Sequence, residues 1–266
     1  MSASSDAALL RRLVEFELSI ERLSSEIVER HDWGRLILNP GTSEIWRDNL
    51  LEVESLELVA DELAALADEL LGRRGLRHRY VGPRDPGRGR ELEPRFRELG
   101  WEVDRNLYMV LRRSPDRQGS PAAEVARAEV EEVRRAVAEA DPDFTPAAVD
   151  QRLVRDARFD PVANGRWFAA PADGKRGAAC VLYEQDGVGQ IETVVTRPEV
   201  RGRGLATAVV LAAAEASSRA GHEITFIVAD ADDWPWKLYE KLGFDRVGVS
   251  CSFLRKPDQP RGEESP

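Results

Sequence analysis

The stretch Thr193-Val194-Val195-Thr196-Arg197-Pro198-Glu199-Val200-Arg201-Gly202-Arg203-Gly204-Leu205-Ala206 joins a β-branched apolar run to the start of an alanine-rich helix through a turn holding two glycines and two arginines. Those residue types suit an anion. Gly202 and Gly204 can take backbone angles closed to other residues, so that successive amides converge on phosphate oxygens. Arg201 and Arg203 add cationic donors beside the positive end of the following helix. A Gly-Arg-Gly turn alone equally suits a plain strand-to-helix connection or a solvated basic loop, so the flanking elements decide between the readings.

Those elements are an apolar run, Ile224-Thr225-Phe226-Ile227-Val228-Ala229, and then Leu238-Tyr239-Glu240-Lys241-Leu242-Gly243-Phe244, a helix end with its glycine stop. The order strand, Arg-x-x-Gly-x-Ala loop, helix, strand, Leu-Tyr-Glu-Lys-Leu-Gly-Phe closely resembles the GNAT superfamily of acyl-CoA-dependent N-acyltransferases. The resemblance spans Ala122 to Lys256. It implies acetyl-CoA as co-substrate, no metal, and a pyrophosphate loop made by Arg201, Gly202, Arg203, Gly204, Leu205 and Ala206. It implies a strand that splays at a β-bulge, leaving the backbone of Thr193, Val194 and Val195 for the pantetheine arm and the thioester oxygen. Tyr239 matches the family's general acid. Asp232 stands where many members carry an asparagine that contacts the cofactor, and this departure leaves cofactor contact and helix capping as equal readings, with Asp233 a second candidate cap.

For the general base, Ile227 occupies a strand position where some relatives have an acid. Glu192, on the strand leading into the loop, is the best remaining candidate, beside the alternatives of a structurally paired carboxylate and a water chain. His31, His78 and His222 are poorly placed. The amine pocket is expected from Asp141-Pro142-Asp143-Phe144-Thr145, Trp234 and Trp236, with a contribution from the first domain.

The chain has 266 residues, 42% of them apolar, enough for one large or two ordinary packed cores. A formal charge of −10 without an offsetting basic stripe argues against nucleic acid as a partner and suits a small-molecule or peptide amine. Acidic residues interrupt the apolar positions from Met1 to Leu23, so neither a secretory signal nor a membrane span is expected, and a cytoplasmic location follows. Cys180 and Cys251 lack metal-ligand spacing and read as buried thiols.

Ser114 to Pro121 reads as a linker between two independently folded domains. In the second domain, Ala122 to Ala140 is expected as a helix, Pro146 opens another towards Ala157, and a β-meander follows with Asp186-Gly187 as a hairpin turn. Leu205 to Ala220 reads as a helix, Ile224 to Ala229 as a strand, Pro235 to Leu242 as a short helix and Val247 to Leu254 as a last strand. Residues 257–266 read as a disordered tail.

The first domain, residues 1–113, matches the second at one constant shift. Phe96-Arg97-Glu98-Leu99-Gly100-Trp101 aligns with Tyr239 to Phe244, since 239 − 96 = 143, and Leu111 to Arg113 aligns with Leu254 to Lys256, since 254 − 111 = 143. The same shift sets Asn49 to Val53 on the strand before the glycine loop. A repeated fold unit explains this. In the first copy Leu58, Val59, Ala60 and Asp61 replace Arg201 to Gly204, and Phe96 replaces Tyr239, so the acyl-CoA loop and the acid are lost. The expected fold is α+β, two GNAT-like domains, each a mixed, mostly antiparallel sheet flanked by helices. The expected function is N-acetyl transfer to a primary amine by the second domain, the alternative being a non-catalytic acetyl-CoA-binding sensor or scaffold.

Overall fold

A computed structural model describes residues 3–116, 121–142 and 144–257. Part of the expected linker (117–120), Asp143 and the expected tail from 258 on lie outside these residues. The first half runs α1 (Ala3–Ser24), β1 (Ile27–His31), β2 (Gly34–Leu38), β3 (Leu50–Val53), α2 (Ala60–Arg73), β4 (Arg79–Pro83), α3 (Pro86–Glu98) and β5 (Glu102–Leu111). The second runs β6 (Ala123–Val125), α4 (Glu131–Glu139), α5 (Pro146–Val162), β7 (Arg166–Ala172), β8 (Lys175–Gln185), β9 (Val188–Thr196), α6 (Leu205–Arg219), β10 (Ile224–Asp230), α7 (Pro235–Lys241) and β11 (Phe244–Arg255). No helix among the described residues is long and apolar enough to cross a membrane.

All eleven strands form one sheet, in the order β1-β2-β3-β4-β11-β5-β10-β9-β8-β7-β6. Among the described residues, only β3 with β4 and β9 with β10 pair in parallel. The order is symmetric about the antiparallel pair β5 and β11: β4 answers β10, β3 answers β9, β2 answers β8 and β1 answers β7. The repeated unit seen in the sequence is thus a repeated unit in space, with α2 answering α6 and α3 answering α7.

The two halves exchange their last strands. β11 of the second half lies between β4 and β5, and β5 of the first half lies between β11 and β10. The expected separation at the linker therefore does not isolate two complete sheets. Residues 122–266 alone would leave β10 with a bare edge and β11 without either neighbour, a state prone to aggregation. That fragment is expected to be insoluble or unfolded by itself and to form a soluble complex when co-expressed with residues 1–113, as read by size exclusion and circular dichroism. A soluble fragment 122–266 with a cooperative melt and whole-chain acetyl-CoA affinity would overturn this expectation.

Helices α6 and α7 cover one face over Leu107, Ile191, Ile227 and Phe244, and α2 and α3 cover the neighbouring stretch over Leu51, Val81 and Phe253. On the opposite face α1 lays Leu10, Leu13, Phe16 and Ile20 against Phe226, Val181 and Tyr183, so the first helix of the chain packs on the second half of the sheet. Phe16 meets the Phe226 ring edge-on at 5.4 Å. A buried two-pronged pair, Arg134 on Asp156 at 2.8–3.0 Å, holds α4 to α5.

The helix expected over Ala122 to Ala140 is shorter than its periodicity suggests. Ala123-Glu124-Val125 alternates and pairs with the exposed edge of β7 instead, and the Glu129 carboxylate accepts the Ala126 amide to start the helical turn there. α5 extends past Ala157 to Val162, capped at its start by the Thr145 hydroxyl.

Candidate active site

β9 follows β10 from Val188 opposite Ile224 to Ile191 opposite Ile227 and then departs from it. On its other side, pairing with β8 skips a residue between Ala179 and Val181, and Thr193 takes a left-handed backbone, φ +58°. This is the bulge expected before the loop. The chain then passes through a short turn at Pro198–Val200 and reaches Gly202 and Gly204, both at φ +77°, with Gly204 at the N-cap of α6. A Cβ at either glycine would meet nothing within 4 Å, so glycine is required by the backbone angle and the space above the turn is open. Among the described residues, the amides of Gly202, Arg203 and Gly204 make no backbone hydrogen bond.

Arg201 donates to the Thr196 carbonyl at 3.3 Å, and Arg203 pairs with Asp173 at the β7–β8 hairpin at 2.9 Å; both side chains are exposed. Free amides, an open surface, the positive end of a fifteen-residue helix and two exposed cations fit a pyrophosphate.

Tyr239 and Glu192 flank the place where β9 and β10 part. Tyr239, on α7, is 6% exposed in the cluster that also contains Ile191, Cys180 and Ala229, on the α6 side of the sheet. Its hydroxyl makes no hydrogen bond among the described residues. Burial, with smaller contributions from Glu192 and Cys180, pushes the phenol far above its ordinary value, so it keeps its proton. Glu192 stands on the opposite face and accepts the Thr193 amide at the bulge. Cys180 is buried and inert, its thiol donating to the Val209 carbonyl at 3.3 Å and burial holding its pKa up. His222 sits at the far end of β9, bonded to Ser217 at 2.8 Å.

Neither Asp232 nor Asp233 caps α7, whose N-cap is Trp234 without a side-chain bond. Asp233 accepts the Trp234 amide at 2.7 Å, and Asp232 faces Arg105 at 3.4 Å on the rim of a cleft.

This cleft, about 540 Å³, opens on the Glu192 side of the sheet along the central strands. Glu192, Val228, Ala229, Asp230 and Asp232 come from the second half; Glu17 and Glu21 of α1, Arg47, Tyr80, Asp104 and Tyr108 come from the first. Among the described residues of the expected amine pocket, Asp141, Pro142, Phe144, Thr145, Trp234 and Trp236 do not line this cleft. Trp234 is 63% exposed, while Trp236 lies under the Arg246 guanidinium at 3.9 Å and Phe144 under that of Arg152 at 4.8 Å, so these last two serve as cation platforms.

Glu17 and Glu21, one helical turn apart, share a face of α1. Glu17 accepts from the Tyr108 hydroxyl and from Gln190 at 2.7 Å, yet burial raises its pKa. Burial pushes Glu21 up to about 8, against the opposing pull of Arg155. Arg47 donates to Tyr80 at 3.0 Å and to Asn106 at 3.1 Å, while Tyr80, pushed up to about 12 by burial, donates to Asp104 at 2.9 Å. Arg155 of α5 reaches across to Asp48 of the first half at 2.8 Å. The spacing of Glu17 and Glu21 was visible in the sequence; what they face depends on α1 crossing to the other half.

The first copy is built differently at each matched point. β3 stays paired with β4 to its last residue, Val53 opposite Pro83, so no gap opens. The constant shift of 143 fails in register here: 51 + 143 = 194 would put Val194 opposite Ile224, where Val188 stands. Asp61, in the first turn of α2, is locked to Arg95 at 2.7 and 2.9 Å, which holds its carboxyl below the ordinary range. Phe96 stacks on Phe253 of the exchanged strand, centroids 4.0 Å apart, as core.

Residues 172–253 match the FR47-like protein family. No curated protein sequence matches the chain. Among solved structures, a conserved protein of unknown function from Staphylococcus epidermidis is similar at 13% identity and TM-score 0.67, over 88% of this chain and 95% of its own. A GCN5-related N-acetyltransferase from Kribbella flavida is similar at 19% identity and TM-score 0.60, over 94% of this chain and 96% of its own. A tandem GNAT protein from the clavulanic acid biosynthesis pathway is similar at 17% identity and TM-score 0.52, over 79% of this chain and 74% of its own. At these identities the likeness is one of fold, and it extends over both halves.

Proposed function

We propose that this chain, which has the fold of the GNAT superfamily in tandem, transfers an acetyl group from acetyl-CoA to a primary amine, using the second half for the cofactor and both halves for the amine. The observation that carries the reading is the parting of β9 from β10 after Ile191, followed along the chain by an open glycine turn, with a phenol that keeps its proton on one face of the sheet and the Glu192 carboxylate in the cleft on the other. Bound acetyl-CoA would supply an activated acyl group and a thiolate leaving group.

The amides of Gly202 to Ala206 hold the pyrophosphate, and Arg201 and Arg203 swing onto it from their exposed positions. Thr193 and Val194, left without a partner on β8 by the bulge, and Val195, beyond the end of the pairing with β10, offer backbone groups to the pantetheine arm and an N–H to the carbonyl oxygen, an arrangement that favours developing negative charge there. Glu192 takes a proton from the amine in the cleft. As the nitrogen forms its bond to the acyl carbon and the carbon–sulfur bond breaks, Tyr239 donates its O–H to the departing sulfur and is reprotonated from solvent. Asp232, at the rim, orients Arg105 and borders the approach of the amine.

Thiol release from acetyl-CoA, followed over a library of primary amines, tests the reading. Amine-dependent release with acetylated product is expected. Tight acetyl-CoA binding with no release for any amine would favour a sensor or scaffold role instead.

A further inference from the structure

Beside the cleft lies a chamber of about 30 Å³ bounded by Glu17, Glu21, Arg155, Tyr183, Gln190 and Glu192; four of these, Glu17, Glu21, Arg155 and Glu192, line the cleft as well. Tyr183, on β8, is 2% exposed, and its hydroxyl has no hydrogen-bond partner among the described residues. A buried hydroxyl left unpaired is destabilising, so the chamber suits a polar group that the protein does not itself supply. Glu21 also makes no hydrogen bond through its carboxyl among the described residues. Glu17 is served by Tyr108 and Gln190. The one cation on the wall, Arg155, is turned to Asp48 at 2.8 Å and lies over the Phe159 ring at 4.0 Å.

Three carboxyl groups and an unpaired phenolic oxygen therefore face a space whose only guanidinium is engaged elsewhere. The space exceeds the roughly 10–15 Å³ that one water-sized group needs, and it is too small for a ring. A group with three donors and a positive charge can serve Tyr183, Glu21 and Glu192 together, whereas a carboxylate or phosphate would stand among three carboxyl groups, with the Gln190 amide given to Glu17 and Arg155 turned to Asp48.

We propose that the chamber is a primary-ammonium subsite and that the acceptor is a diamine or longer polyamine, one amino group standing in the cleft for acylation and a second held between Glu21 and Tyr183. The inference rests on the acyl-transfer reading only in that the first amino group is the one acylated. Binding of the second is linked to protons. Glu21, at about 8, is mostly protonated at pH 7; an ammonium beside it favours the carboxylate, so a proton leaves on binding. The groups that face it set the size of this release: Glu17 on its own helix, also raised by burial; Arg155 and Arg47, which favour the carboxylate; and Asp48, Glu192 and Tyr183, which gain nothing from a second negative charge.

Calorimetry of the whole chain at pH 7, in two buffers of different ionisation enthalpy, tests this with the series from diaminopropane to diaminohexane, each against the monoamine of the same chain length. At least one diamine is expected to bind about tenfold or more tighter than its monoamine, releasing a fraction of a proton. Glu21→Gln should remove that preference and the proton release, and Tyr183→Phe should weaken diamine binding while leaving monoamine binding unchanged. No diamine preference in the series, or a preference untouched by Glu21→Gln in a variant with wild-type circular dichroism, overturns the subsite. Titration of the same preparations with acetyl-CoA separates the two readings: acetyl-CoA binding without diamine preference defeats only the subsite, and diamine preference without acetyl-CoA binding defeats only the acyl-transfer reading.

Discussion

Replacing Gly204 by glutamate is expected to raise the Kd for acetyl-CoA by about 100-fold or more while the chain stays folded. Two effects add. Any side chain at φ +77° costs about 1–2 kcal/mol in the left-handed region, and relief of that strain pulls the turn out of the shape that aims its amides at phosphate. The new carboxylate then stands beside the pyrophosphate, where a like charge within about 5 Å costs on the order of 3 kcal/mol at a surface-type dielectric. The fold itself is not obstructed, because a Cβ at Gly204 meets nothing within 4 Å. Gly187→Glu is the matched control: that residue has φ +74° with equally open surroundings, but it lies in the β8–β9 hairpin away from the loop. It should lose similar stability and keep acetyl-CoA affinity. Equal affinities for wild type and Gly204→Glu would remove the loop from the site.

Tyr239→Phe is expected to lower kcat by roughly 10²-fold to 10⁴-fold with little change in acetyl-CoA affinity, the usual range for a lost general acid. The ring keeps its contact with Phe244 at 6.3 Å, and because the hydroxyl has no protein partner, its removal leaves no group unsatisfied. Stability should therefore be nearly unchanged. With the phenol held well above its ordinary value by burial, its ionisation stays outside the range of about pH 6–9, so any inflection in the wild-type rate there belongs to other groups and should persist in the residual activity of the variant. Wild-type kcat in Tyr239→Phe over that range would exclude it from the reaction.

The parts of this fold that were legible in the sequence are those set by local chemistry. Glycine at two left-handed positions, a β-branched strand before them and an alanine-rich helix after them leave a chain few options, and the loop stands where the residues placed it. The repeat was legible because Phe96 to Trp101 and Tyr239 to Phe244 end equivalent helices. What the sequence could not carry is partner choice at long range. β5 and β11 read as strands whichever sheet they join, and nothing local distinguishes pairing within a half from pairing across halves. The cleft follows from that exchange and from α1 crossing to the second half, so its first-half wall, Glu17, Glu21, Arg47 and Tyr80, was hidden although each residue was plain to see. Ala123 to Val125 failed for a different reason: three residues that suit a helix were taken by a free edge at β7. Asp233, adjacent to Trp234, bonded the nearest amide and left α7 uncapped.

On the acyl-transfer reading, two copies of one fold unit share a single acyl-CoA site, in the second. Calorimetric titration of the whole chain with acetyl-CoA tests it most directly. One site per chain is predicted, weakened about 100-fold or more by Gly204→Glu and untouched by Asp61→Asn, which alters the corresponding turn of the first copy. Two equivalent sites, no site, or a single site that responds to Asp61→Asn and not to Gly204→Glu would contradict it.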